Sequence, residues 1–201
     1  MKKNWEYFTH STNVNFLDIL NSGYLLPSTN LKEYYHEIPE PYVYNYLIFN
    51  GLPQDKHLFW NFYNNNNSPF IFVIDTMITK DIPMYLCSGV YFGKCVKNKD
   101  SLIMKSDGNL KKKVSLIRVK NYIKNNTINR MYEYRRKSYV YSHEVLFPEI
   151  PIKYIKAILI NDNFSRKYSK EIQIAVDKYP DIKFMLYDHR ESNFDIYFEN
   201  I

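Results

Sequence analysis

Three groups of residues in this chain have the types that chemistry on a sugar needs. The first is Glu144, a lone carboxylate inside the apolar and aromatic run 138–160, SYVYSHEVLFPEIPIKYIKAILI. In an extended strand Val140, Ser142 and Glu144 share one face, and Tyr141, His143 and Val145 share the other. A carboxylate beside Val145, Leu146 and Phe147 is costly to bury without a partner. Either it lies on an edge strand and points to solvent, or it forms the floor of a cleft. The second group is His10-Ser11-Thr12, where a first strand runs into polar sequence. The third is the run YVYNYLIF, in which Tyr42, Tyr44 and Tyr46 alternate along one face. A histidine and hydroxyls can hold ribose hydroxyls and an amide, and a tyrosine ring can stack on a flat heteroaromatic ring. A carboxylate can hold a sugar 2′-hydroxyl and stabilise an oxocarbenium-like centre. Together these meet the needs of breaking the N-glycosidic bond of NAD.

Composition narrows the alternatives. The chain has 201 residues, 45% hydrophobic and 17% aromatic, with 20 Tyr and 13 Phe. That suits one domain with a ring-rich, strand-rich core rather than a disordered chain. Only 5 Gly are present, and neither GxGxxG nor a Walker-type loop occurs, which argues against nucleotide-binding folds built on glycine loops. A formal net charge of +6 permits a phosphate-bearing partner without requiring one. Cys87 and Cys95 are too few for a zinc site, so no metal is expected. No run is long and apolar enough to span a bilayer, and MKKNWEYFTH lacks the apolar core of a signal peptide. The expectation is an intracellular protein with no membrane partner.

The elements that would position these residues follow from periodicity. Strands are predicted over 5–10, 42–49, 69–75, 84–92, 182–187 and, at an edge, 194–201, with a strand–turn–strand unit over 138–160. A short amphipathic helix is predicted over 14–21, capped by Thr12 or Asn13 and stopped by Gly23. A second is predicted over 110–123 with Leu110, Val114, Ile117 and Ile123 inward, and a third over 162–179, ended by Pro180. Stretches 28–41, 64–67, 94–109 and 125–137 are polar, and the last carries Arg130, Arg135 and Arg136. The layout is α+β.

Two stretches carry a family resemblance. HSTNVNFLDILNSGYLLP resembles the His-x-Ser/Thr strand–helix opening of ADP-ribosyltransferases of the His-Tyr-Glu class, and SHEVLFPEIPIKYIKAI resembles their catalytic-glutamate strand. The second is also similar to the glutamate segment of members that modify thymidine bases in DNA. The resemblance implies an ADP-ribosyltransferase-like split β-sandwich and NAD as substrate. It implies a mono-ADP-ribosyltransferase acting on nucleic acid or protein, with Arg130, Arg135 and Arg136 as candidate acceptor contacts. His10 would hold a ribose hydroxyl on the adenosine side, Ser11 or Thr12 a ribose or the carboxamide, and Glu144 the nicotinamide-ribose 2′-hydroxyl. The stacking tyrosine is Tyr44 by spacing, with Tyr91 in SGVYF the second candidate by letters. Glu149 is the fallback carboxylate. The competing expectations are an inactive relative, or a basic α+β domain that binds nucleic acid or a partner protein. An RNA 2′-phosphotransferase on the same fold would need a second matching histidine.

Overall fold

The computed structural model describes residues 4–27, 43–50, 68–91, 94–95, 115–121, 124, 142–188 and 195–201. The hydrophobic runs become β1 (Glu6–Thr12), β2 (Tyr24–Leu25), β3 (Val43–Phe49), β4 (Phe70–Asp75), β5 (Tyr85–Tyr91), β6 (Lys94–Cys95), β7 (Ser142–Phe147), β8 (Ile150–Pro151), β9 (Ile155–Asn161) and β10 (Lys183–Tyr187). Between them lie the helices α1 (Phe16–Ser22), α2 (Ile78–Asp81), α3 (Ser169–Lys178) and α4 (Asp195–Phe198). Among the described residues the sheet order is β10-β9-β4-β1-β3-β7-β5-β6, and β2 pairs with β8 separately. The class is α+β, as the sequence predicts. Neighbours are antiparallel except β9 and β10. A parallel pair needs a crossover, supplied by a 3-10 turn at Asp162–Phe164 and by α3.

The sheet is apolar on both faces, which is why β4 (FIFVID) and β9 (IKAILIN) read as unbroken runs rather than alternations. One face carries Phe8, Phe72, Phe147 and Ile158 under α1, whose Phe16 meets the Phe70 ring at 4.9 Å. The other carries Ile71, Val73 and Leu159 with Trp5, Tyr187 and Phe198.

Helix α1 starts two residues later than predicted. Its cap is Asn15, whose side chain accepts the Leu17 N–H at 2.9 Å, while the Thr12 hydroxyl oxygen accepts the Val14 N–H at 3.1 Å in the preceding turn. Gly23 takes the C′ position with φ 82° and donates its N–H to the Leu20 carbonyl at 3.2 Å. A Cβ there would meet nothing within 4 Å. Gly23→Ala is therefore expected to cost only the left-handed backbone strain, about 1 kcal/mol, read as a lower urea midpoint with unchanged slope.

Several predicted elements are corrected. β1 does not stop at His10, because Ser11 and Thr12 continue its ladder with β4 opposite Ile71 and Phe70. The predicted terminal edge strand is instead α4, since a helical turn lets Phe198 bury against Trp5 at 5.1 Å and Tyr7 at 6.3 Å. In the second predicted helix, residues 116–121 are helical, but Val119 is buried and Ile117 is 72% exposed. The inward stripe there is Leu116 and Val119, three residues apart; Leu110, Val114 and Ile123 lie outside the described residues. Of the apolar residues of α3, Ala175 is buried and Ile172 packs on the core, whereas Ile174 and Val176 face out.

Tyr187 anchors the open edge of the sheet. Its hydroxyl donates to the Ser68 carbonyl at 3.4 Å. Burial pushes its pKa up to about 12, a hydrogen bond with Asn161 works against that, and the nearby Asp162 and Tyr197 reinforce it. The folded value lies above the unfolded value of about 10. Stability from keeping this phenol neutral is thus complete below pH 10 and is lost as pH rises through the window from about 10 to about 12. Urea midpoints measured across that window are expected to fall more steeply for the natural chain than for Tyr187→Phe.

Candidate active site

Strands β1, β3 and β7 are consecutive in the sheet. The strands carrying His10, Tyr44 and Glu144 therefore lie side by side, though far apart in the chain. The β1–β3 ladder runs from Glu6↔Phe49 to Thr9↔Tyr46 and ends there. Beyond that point β1 stays with β4, through His10↔Phe72, Ser11↔Ile71 and Thr12↔Phe70. The first residues of β3 stay with β7, through Val43↔Phe147, Tyr44↔Leu146 and Asn45↔Val145. The sheet is split between 10–12 on one side and 43–45 on the other. The last row before the split opens is Thr9, Tyr46 and Glu144, in direct register.

Glu144 is also paired with Cys87 on its other side. β7 is thus an interior strand, which corrects the reading of it as an edge strand. One step further along, the β5–β7 register shifts between Ser88 and Val90 opposite His143 and Ser142, a bulge beside the glutamate.

The two resembling stretches are joined a second time. β2 follows α1 and β8 follows β7, and they pair through Tyr24↔Pro151 and Leu25↔Ile150. The Ile152 N–H donates to the Gly23 carbonyl at 3.0 Å, and Leu25 and Ile150 are buried. The β1–α1–β2 unit is therefore fixed to the β7–β8 unit both through β3 and at this junction.

The three predicted β1 residues differ in situation. Ser11 alternates with Thr9 and shares its side of the strand, while His10 and Thr12 occupy the other side. The Ser11 hydroxyl oxygen is buried without a hydrogen-bond partner. The Thr12 hydroxyl is committed to the Val14 N–H. His10 is half-buried. Tyr44 occupies the β3 side of the split, opposite Leu146. Tyr91 ends β5 in the hairpin with β6, opposite Lys94, and β7 separates that strand from β3. The strand of Tyr44 is therefore a neighbour of β1 in the sheet, and the strand of Tyr91 is not. Glu149 is half-buried in the link between β7 and β8. Arg130, Arg135 and Arg136 lie outside the described residues.

Two residues escaped the sequence reading. Thr9 is fully buried and stands in the row of Tyr46 and Glu144. Asn45 is fully buried between Tyr44 and Tyr46. The available signals were the i, i+2 relation of Thr9 to Ser11, and an asparagine inside a strand, where that residue is depleted. Among the described residues no three His, Cys, Asp or Glu side chains are grouped to hold a metal ion, and no helix is long and apolar enough to cross a membrane.

The split, with Glu144 in register at its base, marks the candidate site within an α+β sheet. Two solved structures of Thermus sp. 2.9 DarT are similar to this chain. The one in complex with ADP-ribosylated ssDNA has a TM-score of 0.44 and 13% identity, covering 93% of this chain and 98% of that one. The one in complex with NAD+ has a TM-score of 0.43 and 13% identity, covering 90% and 94%. No protein-family model matches the chain, and no curated protein matches it in sequence.

Proposed function

We propose that this chain, as a single domain, is a mono-ADP-ribosyltransferase that cleaves NAD and transfers ADP-ribose to a nucleic-acid or protein acceptor. The observation that supports this most is the ending of the β1–β3 ladder at Thr9↔Tyr46, in the row of Glu144. A sheet that splits next to a carboxylate offers a slot for an extended dinucleotide with its reacting sugar at the slot's base.

In this proposal Ser11, whose hydroxyl oxygen lacks a protein partner, contacts the nicotinamide ribose or the carboxamide on the Glu144 side. His10 holds a ribose hydroxyl on the adenosine side, across the rim of the split, and Thr12 shapes the turn into α1 there. Tyr44 stacks on nicotinamide. Glu144 holds the 2′-hydroxyl and stabilises the cationic sugar. The bond between the ribose C1′ and the nicotinamide nitrogen breaks with its electron pair leaving on nicotinamide. The acceptor atom then bonds to C1′, and its proton passes to Glu144 or to water. Arg130, Arg135 and Arg136 are assigned to the acceptor, which in the nucleic-acid case they would hold through phosphates.

The test is incubation of the chain with NAD labelled in the adenosine half, together with DNA, RNA or protein acceptors. Label on one acceptor with matching nicotinamide release is the expected result. Stabilisation by NAD with no release, or salt-sensitive nucleic-acid binding with no response to NAD, would instead identify a non-enzymatic binding domain.

A further inference from the structure

Asn45 carries an unexplained cost. Its side chain is 0% exposed, among Val43, Leu47, Val145 and Phe147. Its amide nitrogen donates to the Val43 carbonyl at 2.9 Å and across the strands to the Val145 carbonyl at 3.4 Å. Its amide oxygen is buried with no partner. An orphaned buried acceptor is a net penalty that a leucine of similar volume would not incur. What leucine would not supply is the pair of donated bonds, and their place is specific. Val43 is on the stretch of β3 that has left β1, and Val145 directly follows Glu144 and faces Asn45 in register. The amide thus bonds β3 to β7 at the split, one residue from the row of Tyr46 and Glu144.

We infer that Asn45 is a positioning residue: its amide fixes the β7 backbone carrying Glu144 where β3 has lost β1 as a neighbour. The inference deepens the proposed transferase and rests on it. The test is Asn45→Leu in the full chain, with three readouts. The melting temperature is expected to stay level or rise, because the orphaned acceptor is gone. Amide hydrogen exchange is expected to quicken at residues 143–146 but not in β9. In transfer assays kcat is expected to fall by about tenfold or more with KM for NAD within about twofold, since small misplacements of a reacting group cost rate rather than affinity. Unchanged exchange at 143–146, or an unchanged kcat, overturns the inference while the natural chain remains a transferase. A natural chain that releases no nicotinamide with any acceptor overturns the proposed function itself, and the positioning role with it.

Discussion

Glu144→Gln is expected to lower ADP-ribose transfer by roughly two to three orders of magnitude, with a circular-dichroism spectrum and melting temperature close to those of the natural chain. The substitution keeps the shape of the side chain and removes its charge. The ladder contacts of position 144, to Tyr46 on β3 and Cys87 on β5, are made by backbone and do not depend on the carboxylate. The fold should therefore survive, and the loss should fall on the step in which positive charge develops on the ribose. Because a glutamine can still hydrogen-bond a hydroxyl, KM for NAD should change much less than kcat. Single-turnover release of nicotinamide, followed beside thermal unfolding, separates the two effects. A folded Glu144→Gln protein with undiminished transfer would remove Glu144 from the mechanism and direct attention to Glu149, half-buried in the link after β7.

The sequence disclosed the strands because burial on one or both faces writes itself into apolar spacing. β3 and β4 fall close to their predicted bounds and β7 within the predicted strand–turn–strand unit for that reason, and Gly23, with its positive φ, marks the end of α1. The run 194–201 misled because FDIYFEN satisfies a strand pattern as well as a helical turn, and the decision came from the Trp5 and Tyr7 rings that Phe198 meets. The site was legible only in part. Glu144 could be singled out because a carboxylate among Val, Leu and Phe is costly, and His10-Ser11-Thr12 because a strand there runs into polar residues. Register was not legible: pairing across strands far apart in the chain leaves no local trace. It is register that sets Thr9, rather than its neighbour His10, in the row of Glu144, and that ends the β1–β3 ladder at Thr9↔Tyr46. For the same reason Asn45 passed as a strand residue between two tyrosines.

Phe147→Ala is expected to be the costliest single core truncation near the site, about 3–5 kcal/mol of unfolding free energy. The ring is fully buried and meets Phe8 edge-on, with centroids 5.0 Å apart and planes at 76°. Phe8 lies on β1 and Phe147 on β7, with β3 between them in the sheet. The pair therefore clasps β1, on one side of the split, to β7 beyond β3 on the other, two strands that share no backbone ladder. Truncation removes the ring's burial and its edge-to-face contact, and leaves a cavity that three packed strands cannot readily close. Against a total stability of about 5–15 kcal/mol for a domain, that loss is a large fraction. Phe8→Ala should cost a similar amount, and the double variant less than the sum of the two, because both remove the same contact. Urea unfolding at neutral pH measures all three. Additive losses would mean that each ring is held by its own surroundings, and that the Phe8–Phe147 contact does not join β1 to β7.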